Sequence, residues 1–421
     1  MLAVEIIFWL SLALVGYAYI VYPMLIAALA VRHRILTASS VARTPTDDQQ
    51  CNTRQQPEQA TRNELPFVSI VIAAYREERV ITQRLNNLAL QDYPADRFEV
   101  IIGVDGDEDL TGELVRVFGD PRVRLLQFPE RRGKASVLND CIPIAKGDIV
   151  VLSDANTMME ATAIRRLVRH FVDPQIGGVC GQLLLTDSAS GENVDGIYWR
   201  YENFLKKCEG ELGVLLGANG AIYAIRKELY EPIPSETIID DFLIGMRVHL
   251  HGKKLIFDAE AVAREETAPH MQAEFHRRAR IGAGGFQSLA WLTPLLNPAR
   301  GLIALAFWSH KVLRWMAPSL LIAAILTNVV LASNPFYLHV LLVHETFYLL
   351  ATCGLWLLHA RRWPKLLRLP AMFVSMNAAL LVGLWRFSCN RQKATWKRTE
   401  RSEELKSDGQ SGGHQEMEVA R

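Results

Sequence analysis

The sequence predicts an α/β domain with a mostly parallel sheet, flanked by transmembrane helices, and three observations carry that reading. Short β-branched apolar runs alternate with helical patterns through the middle of the chain. Three of those runs end in, or are closely followed by, an acidic residue. Long apolar stretches lie at both ends, while the 421-residue chain as a whole carries a net charge of only +1. That balance gives no global basic field and no argument for a nucleic-acid partner. The six cysteines are scattered with no C-x-x-C pair, which excludes a zinc signature and a disulfide framework.

Val4 to Val31 exceeds the roughly 20 apolar residues that cross a bilayer. Glu5 sits near its outer end, and Arg32, His33 and Arg34 follow it at once. A cleavable leader carries its positive charge first and has a shorter apolar core. Residues 1–34 therefore read as an uncleaved anchor, with the carboxyl end on the cytoplasmic side by the positive-inside rule. Residues 35–66, with Pro45, Pro57 and Pro66 and few large apolar groups, read as a flexible linker.

The domain from 67 to 298 follows. Val68 to Tyr75 has the composition of a strand buried on both faces, and Val80, Ile81, Leu85 and Leu88 after it fall at helical spacing. Phe98 to Val104 is a second strand, with Asp105 at its end and a helix from about Thr111. Val123 to Phe128 is a third strand, and Gly133-Lys134-Ala135 opens a helix. Ile149 to Leu152 is the fourth, ending in Ser153-Asp154-Ala155-Asn156.

Strands that end in acids point to one site at the carboxyl edge of the sheet, where open α/β folds bind ligands. A hard divalent cation takes oxygen ligands and shares them with substrate phosphates. Asp154 can supply the carboxylate and Asn156 a neutral carbonyl. Asp240 and Asp241 precede the apolar stretch Phe242-Leu243-Ile244, as expected of carboxylates at a helix start, where the dipole favours the anion. A carboxylate there can act as general base toward an acceptor hydroxyl. Arg280 is a planar donor suited to bidentate phosphate contact, and Gly217-Ala218-Asn219-Gly220 reads as a tight backbone beside an acceptor.

Residues 299–315 hold Trp308, His310, Lys311, Arg314 and Trp315, a mixture suited to an interfacial helix. Residues 316–390 hold three apolar stretches, with a tight turn at Asn334-Pro335. Residues 391–421 are a polar tail. The charges from Arg386 to Arg398 favour a cytoplasmic tail, whereas three crossings would put it outside. Either the last stretch dips and returns, or the charge rule fails here.

VSIVIAAYREE, VDGDEDLT, GKASVLN, SDANT, GANGAIYAIRKELY, IIDDFLIGMRV and RRARI occur in that order between about Phe67 and Gln287. In this series the chain resembles the membrane-bound family 2 glycosyltransferases, the group of the cellulose, hyaluronan, chitin and poly-N-acetylglucosamine synthases. The resemblance implies a GT-A fold, a nucleotide-sugar donor (in most cases a UDP-sugar) and Mg²⁺ or Mn²⁺. It implies that Ala73, Tyr75 and Glu77 border the nucleoside, that Asp105 meets the uracil or ribose, and that Lys134 lies near the nucleotide. Asp154 and Asn156 match the first and third positions of the family's D-x-D, and Asp241 matches its catalytic base. Arg277 to Ile281 match its Q-x-x-R-W, which makes Arg280 a donor contact and Arg277 an acceptor contact beside Gly217 and Asn219. The family's glutamine is Arg277 here and its tryptophan Ile281. With that aromatic platform missing, single transfer to a lipid-linked or growing saccharide stands beside processive synthesis.

The expectation is thus an inverting, metal-dependent glycosyltransferase making exopolysaccharide or cell-surface glycan. It would sit in the bilayer of a bacterial inner membrane, with its catalytic domain cytoplasmic and with polysaccharide-export proteins as partners. Plainer readings exist for each residue: a turn former for Asp105 and Asp154, a helix cap for Asn156, a first-turn charge for Glu77, a surface charge for Lys134, and lipid-headgroup contacts for Arg277 and Arg280. Two other function classes are compatible with the architecture. A membrane-bound nucleotide-dependent oxidoreductase would carry G-x-G-x-x-G after its first strand, and none is present. A non-catalytic export scaffold would release no nucleotide from any sugar donor.

Overall fold

The computed structural model describes residues 1–43, 65–186, 197–266, 271–357 and 365–394. Most of the linker and the polar tail beyond residue 394 lie outside the described residues. The chain divides into two compact units, Met1–Leu25 with His270–Lys393, and Ile26–Pro269 with Ala394–Arg421. Each is described by itself.

Two helices, α1 (Leu2–Gly16) and α2 (Tyr22–Arg43), open the chain, and a π-helical stretch, Tyr17–Val21, joins them. The α/β unit is built on β1 (Val68–Ala74), α3 (Ile81–Ala89), β2 (Phe98–Asp105), α4 (Thr111–Phe118), β3 (Val123–Phe128), α5 (Lys134–Cys141), β4 (Ile149–Leu152), β5 (Met158–Met159) and α6 (Ala163–Val168). It continues through β6 (Ile176–Thr186), α7 (Ile197–Glu211), β7 (Tyr223–Arg226), α8 (Asp240–Leu250) and β8 (Lys254–Glu266). One eight-stranded sheet runs in the order β3-β2-β1-β4-β7-β6-β8-β5.

The four strands expected from the sequence pair in parallel, Val68 opposite Phe98 and Ile149, and Val100 opposite Val123. Every residue of β1, β2 and β4 is buried, as strands rich in Val and Ile favour, whereas the edge strand β3 is only half-buried. Beyond β4 the sheet is mixed. β7 lies antiparallel to both β4 and β6, β6 and β8 are parallel, and β5 pairs antiparallel with β8.

The core gathers Ile70, Ile72, Ile102 and Val151 of the sheet with Ile81, Leu85 and Leu88 of α3. Each such side chain contributes roughly 1.5–3 kcal/mol on leaving water. On the other face, a Cβ on Gly103 would meet Val137 Cγ1 at 2.3 Å, so α5 lies flush on β2. That close approach brings the start of α5 to the carboxyl ends of β1, β2 and β4.

The helical unit also contains α9 (Met271–Trp291), α10 (Leu302–Leu331), α11 (Pro335–Leu357) and α12 (Lys365–Ser388). Among the described residues, four helical segments are long and apolar enough to cross a membrane: Leu2–Ser39, Leu302–Leu331, Pro335–Leu355 and Leu369–Ser388. The stretch expected to lie along the interface, residues 299–315, is helical from Leu302 and runs without a break into the following span, through a π-helical stretch at Phe307–Val312. The turn expected at Asn334-Pro335 is present, and the Asn334 carboxamide oxygen accepts the Phe336 amide at 2.9 Å. Phe8, Ala324, Leu331 and Tyr337 form the apolar centre between α1, α10 and α11. Gly282 of α9 and Gly383 of α12 let two backbones meet, since a Cβ on Gly383 would lie 2.7 Å from the Ala279 carbonyl oxygen.

Candidate active site

The site forms around one ammonium group. Lys134 is the first residue of α5, and its Nζ donates to Asp154 Oδ1 at 2.8 Å and lies 3.1 Å from Asp240 Oδ2. Asp154 lies two residues past the end of β4, and Asp240 opens α8. The lysine is held ionised. Burial works against its charge, but the fields of Asp154, Asp240 and Asp241 outweigh that and raise its pKa.

Asp241 is the next residue of α8. Its carboxylate accepts its own neighbour's amide, Phe242 N–H, at 2.8 Å. Burial first, then the charge of Asp240, push its pKa up to about 6, against the opposing pull of Lys134. An acid so tuned is ionised at neutral pH and still basic enough to take a proton. The expected helix-start carboxylate is in place. What spacing alone did not single out is Asp240, which is buried and completes the lysine's ion pairs.

Asp105 is nearly fully buried, and both of its oxygens are engaged. Oδ1 accepts the Arg132 amide at 2.6 Å and Oδ2 the Gly133 amide at 2.9 Å. Gly133 has φ 91°, a conformation that a side chain would strain. The carboxylate at the end of β2 thereby fixes the loop from which Lys134 projects.

Tyr75, just past β1, donates its hydroxyl to Glu108 Oε2 at 3.0 Å, and the Arg131 guanidinium lies 3.7 Å from its ring centroid. The next residue, Arg76, has φ 55° and pairs with Glu108 at 3.0 Å. Glu77 is buried, and its amide donates to Thr111 Oγ1 at 2.9 Å. Ala73 is buried in β1 opposite Gly103. Ala73, Tyr75 and Glu77 thus share the strand end beside Asp105.

Asp154 keeps 34% of its side chain exposed, so a ligand can reach it. A Cβ at Gly220 would lie 2.9 Å from Asp154 Oδ2 and 3.4 Å from Lys134 Nζ, so the missing side chain leaves a space over the carboxylate. That space and one accessible carboxylate fit a hard cation that draws its other ligands from phosphate and water. Among the described residues no group of three His, Cys, Asp or Glu side chains could enclose a metal on its own. The Asn156 amide nitrogen donates to Glu265 Oε1 at 3.0 Å, so of its side-chain atoms the carbonyl oxygen is the one able to ligate a cation.

Gly217 has φ 86°, and a Cβ there would meet the Phe242 ring at 2.4 Å. The loop it belongs to therefore lies against α8, next to Asp241. Asn219 closes that loop by donating to the Gly181 carbonyl at 3.1 Å and accepting the Ile222 amide at 3.2 Å. Arg277 and Arg280 lie on α9 in the helical unit, where Arg277 pairs with Glu274 at 2.8 Å. The structure therefore brings Lys134, Asp154, Asp240 and Asp241 together, with Asp105 supporting the lysine's loop.

One further residue behind the site was missed. Arg84 of α3 is fully buried and reaches Ser153. Its signal was present in the sequence, because Ile81, Arg84, Leu85 and Leu88 occupy i, i+3, i+4 and i+7, so a charge sits within an apolar stripe.

Known proteins resemble this chain in sequence and in fold. Residues 69–231 match the family model described as glycosyl transferase family 2. A beta-monoglucosyldiacylglycerol synthase of Synechocystis sp. is 26% identical over 268 residues, 60% of this chain and 55% of that one. A poly-beta-1,6-N-acetyl-D-glucosamine synthase of Staphylococcus aureus is 24% identical over 234 residues, 54% of this chain and 56% of that one. The chain spans about half the length of the curated relatives it matches. Among solved structures, a mannosyltransferase from Pyrobaculum calidifontis in complex with GDP-Man and Mn²⁺ aligns with TM-score 0.64 and 22% identity, covering 92% of this chain and all of that one. The fold is that of the GT-A glycosyltransferases, and it contains the stretch, residues 69–231, that matches the family 2 model.

Proposed function

We propose that the chain is an inverting glycosyltransferase that moves one sugar from a nucleotide-sugar, a UDP-sugar by the sequence resemblance, to a saccharide or lipid acceptor. The observation that carries this reading is the Lys134 ammonium set between Asp154 and Asp240, with the raised carboxyl of Asp241 on the next residue.

In this reading Tyr75, with Ala73 and Glu77 beside it, borders the nucleoside, and Lys134 meets the diphosphate. Asp154, with the Asn156 carbonyl, holds Mg²⁺ or Mn²⁺. When bound, that cation offsets the negative charge that grows on the leaving diphosphate. Asp241 takes the proton from an acceptor hydroxyl as that oxygen attacks the anomeric carbon. The bond from that carbon to the diphosphate breaks, and its electron pair leaves with the phosphate. A single in-line displacement inverts the anomeric centre and needs no covalent nucleophile. Gly217 and Asn219 border the acceptor, and the sequence resemblance gives Arg277 an acceptor role and Arg280 a phosphate role.

Four apolar helices support a place in a bilayer. The charges after the first span support a cytoplasmic catalytic domain in a bacterial inner membrane. Two acceptor classes follow from the relatives' names, a glycolipid and a polysaccharide, and the absence of an aromatic residue at Ile281 favours single transfer. Export partners belong to the polysaccharide reading alone.

The test uses the full chain in detergent micelles with UDP- and GDP-sugars, Mn²⁺, and diacylglycerol or oligosaccharide acceptors. Mass spectrometry identifies the product. Asp241→Asn is expected to abolish transfer while nucleotide binding persists. Undiminished turnover in that variant would remove Asp241 as the base.

A further inference from the structure

Arg84 is an expensive residue to bury. It is fully enclosed under the sheet, in a stripe otherwise made of Ile81, Leu85 and Leu88. A desolvated cation costs several kcal/mol unless it is paired or hydrogen-bonded. No carboxylate touches it among the described residues. Its partners are neutral: Nη1 donates to Asn87 Oδ1 at 2.7 Å and Nη2 to Ser153 Oγ at 2.8 Å, while Nε finds no acceptor. A leucine at this position would continue the stripe at no such cost.

The partners show what the guanidinium holds. Ser153 donates its hydroxyl to the Ala221 carbonyl at 2.6 Å. Asn87 grips the Met159 backbone twice, accepting from its amide at 2.9 Å and donating to its carbonyl at 2.8 Å. Arg84 thus fastens both ends of the loop from Ser153 to Met159, and that loop carries Asp154 and Asn156. The carboxylate whose field acts on the guanidinium is that of Asp154. Burial draws its pKa down to about 9 and Asp154 opposes that, so it remains protonated at neutral pH.

We propose that Arg84 is a positioning residue of the transfer site. It locks the Ser153–Met159 loop and places a buried positive charge behind Asp154, so that the donor diphosphate and its cation meet a carboxylate already set. The proposal rests on the donor reading above. It explains why the charge is kept: a purely packing role needs none, whereas a diphosphate-binding loop gains from a fixed cation beneath it.

The experiment measures Mn²⁺–UDP and Mn²⁺–GDP binding to the full chain by calorimetry, together with thermal unfolding. Arg84→Met is expected to weaken binding of the preferred pair by about ten- to a hundredfold, the range seen when supports of metal ligands are removed. Arg84→Lys, which keeps the charge and one donor, is expected to recover most of that loss. Ser153→Ala removes only the handle on the loop and should weaken binding by several-fold, which decides the matter if Arg84→Met does not fold. Glu99→Gln perturbs a buried polar cluster at the far end of the strands and should lower stability with no change in binding. Wild-type affinity in both Arg84→Met and Ser153→Ala, alongside tight binding by the parent, overturns the role of Arg84 alone. A parent protein that binds neither nucleotide overturns the donor reading instead.

Discussion

Replacing Asp240 with asparagine should move the acid limb of the transfer rate to lower pH. Burial and the neighbouring Asp240 charge are the two largest causes holding Asp241 at about 6. Asparagine keeps the side-chain shape and removes that charge. Neighbouring carboxylates in a partly buried site repel by about 1–2 kcal/mol, and about 1.4 kcal/mol moves a titration by about one pH unit. The general base must be ionised to accept a proton, so the rate rises with pH through its pKa and levels off above it. The limb, near pH 6 in the parent, is therefore expected to fall by about one unit in Asp240→Asn.

Lys134 does not cancel this effect, because its 2.8 Å bond to Asp154 is untouched. For stability the same titration has the opposite sense. The folded chain binds the Asp241 proton more tightly than an unfolded chain, whose carboxyl has the ordinary value of 3.8. Ionising Asp241 therefore costs the fold stability as pH rises between about 4 and 6, and the variant should narrow that window. The assay is nucleoside-diphosphate release at saturating donor across the acid-to-neutral range, with thermal unfolding in parallel. An acid limb that stays in place or climbs would refute the coupling between the two aspartates.

Two more outcomes are expected. Gly220→Ala places a methyl 2.9 Å from Asp154 Oδ2 and 3.4 Å from Lys134 Nζ, so the Mn²⁺ concentration for half-maximal activity should rise about tenfold with little change in melting temperature. Glu99 is buried, which alone would raise its pKa, but the Lys146 amide, the Ser69 hydroxyl and Arg124 hold its carboxyl below the ordinary 4.5. Its stabilising contribution is thus present above pH 4.5 and lost as pH falls, and Glu99→Gln should flatten the acid side of the stability profile measured by denaturant titration.

The strands β1, β2 and β4 were legible because they are buried on both faces and announce themselves as short runs rich in Val and Ile. β6, β7 and β8 gave no such signal. β8 reads KLIFDAEAVAREE and is only partly covered, so partners far away in the chain, not local pattern, decide that it is a strand. In the site, Asp154 and Asp241 were visible as acids where a strand ends and a helix begins. The burial of Asp240 was not, because adjacent acids at a helix start look alike until the lysine that faces one of them is known. Asp105 was expected at the nucleoside, and its two backbone partners at residues 132 and 133 lie in a loop whose course no spacing rule predicts. His310 and Arg314 show the limit in the helical unit. Their charges suggested a helix lying on the bilayer surface, yet both are buried within a helix that continues to Leu331.

The meeting of Gly282 and Gly383 joins α9 and α12 with no side chain between them. Such a joint does not slip, because sliding either helix would drive a neighbouring Cβ into main chain. Whatever tilt lipid thickness imposes on α12 is consequently passed to α9, and Arg277 and Arg280 turn with it. Bilayer thickness would then be felt at α9 through two glycines rather than through any residue that contacts lipid.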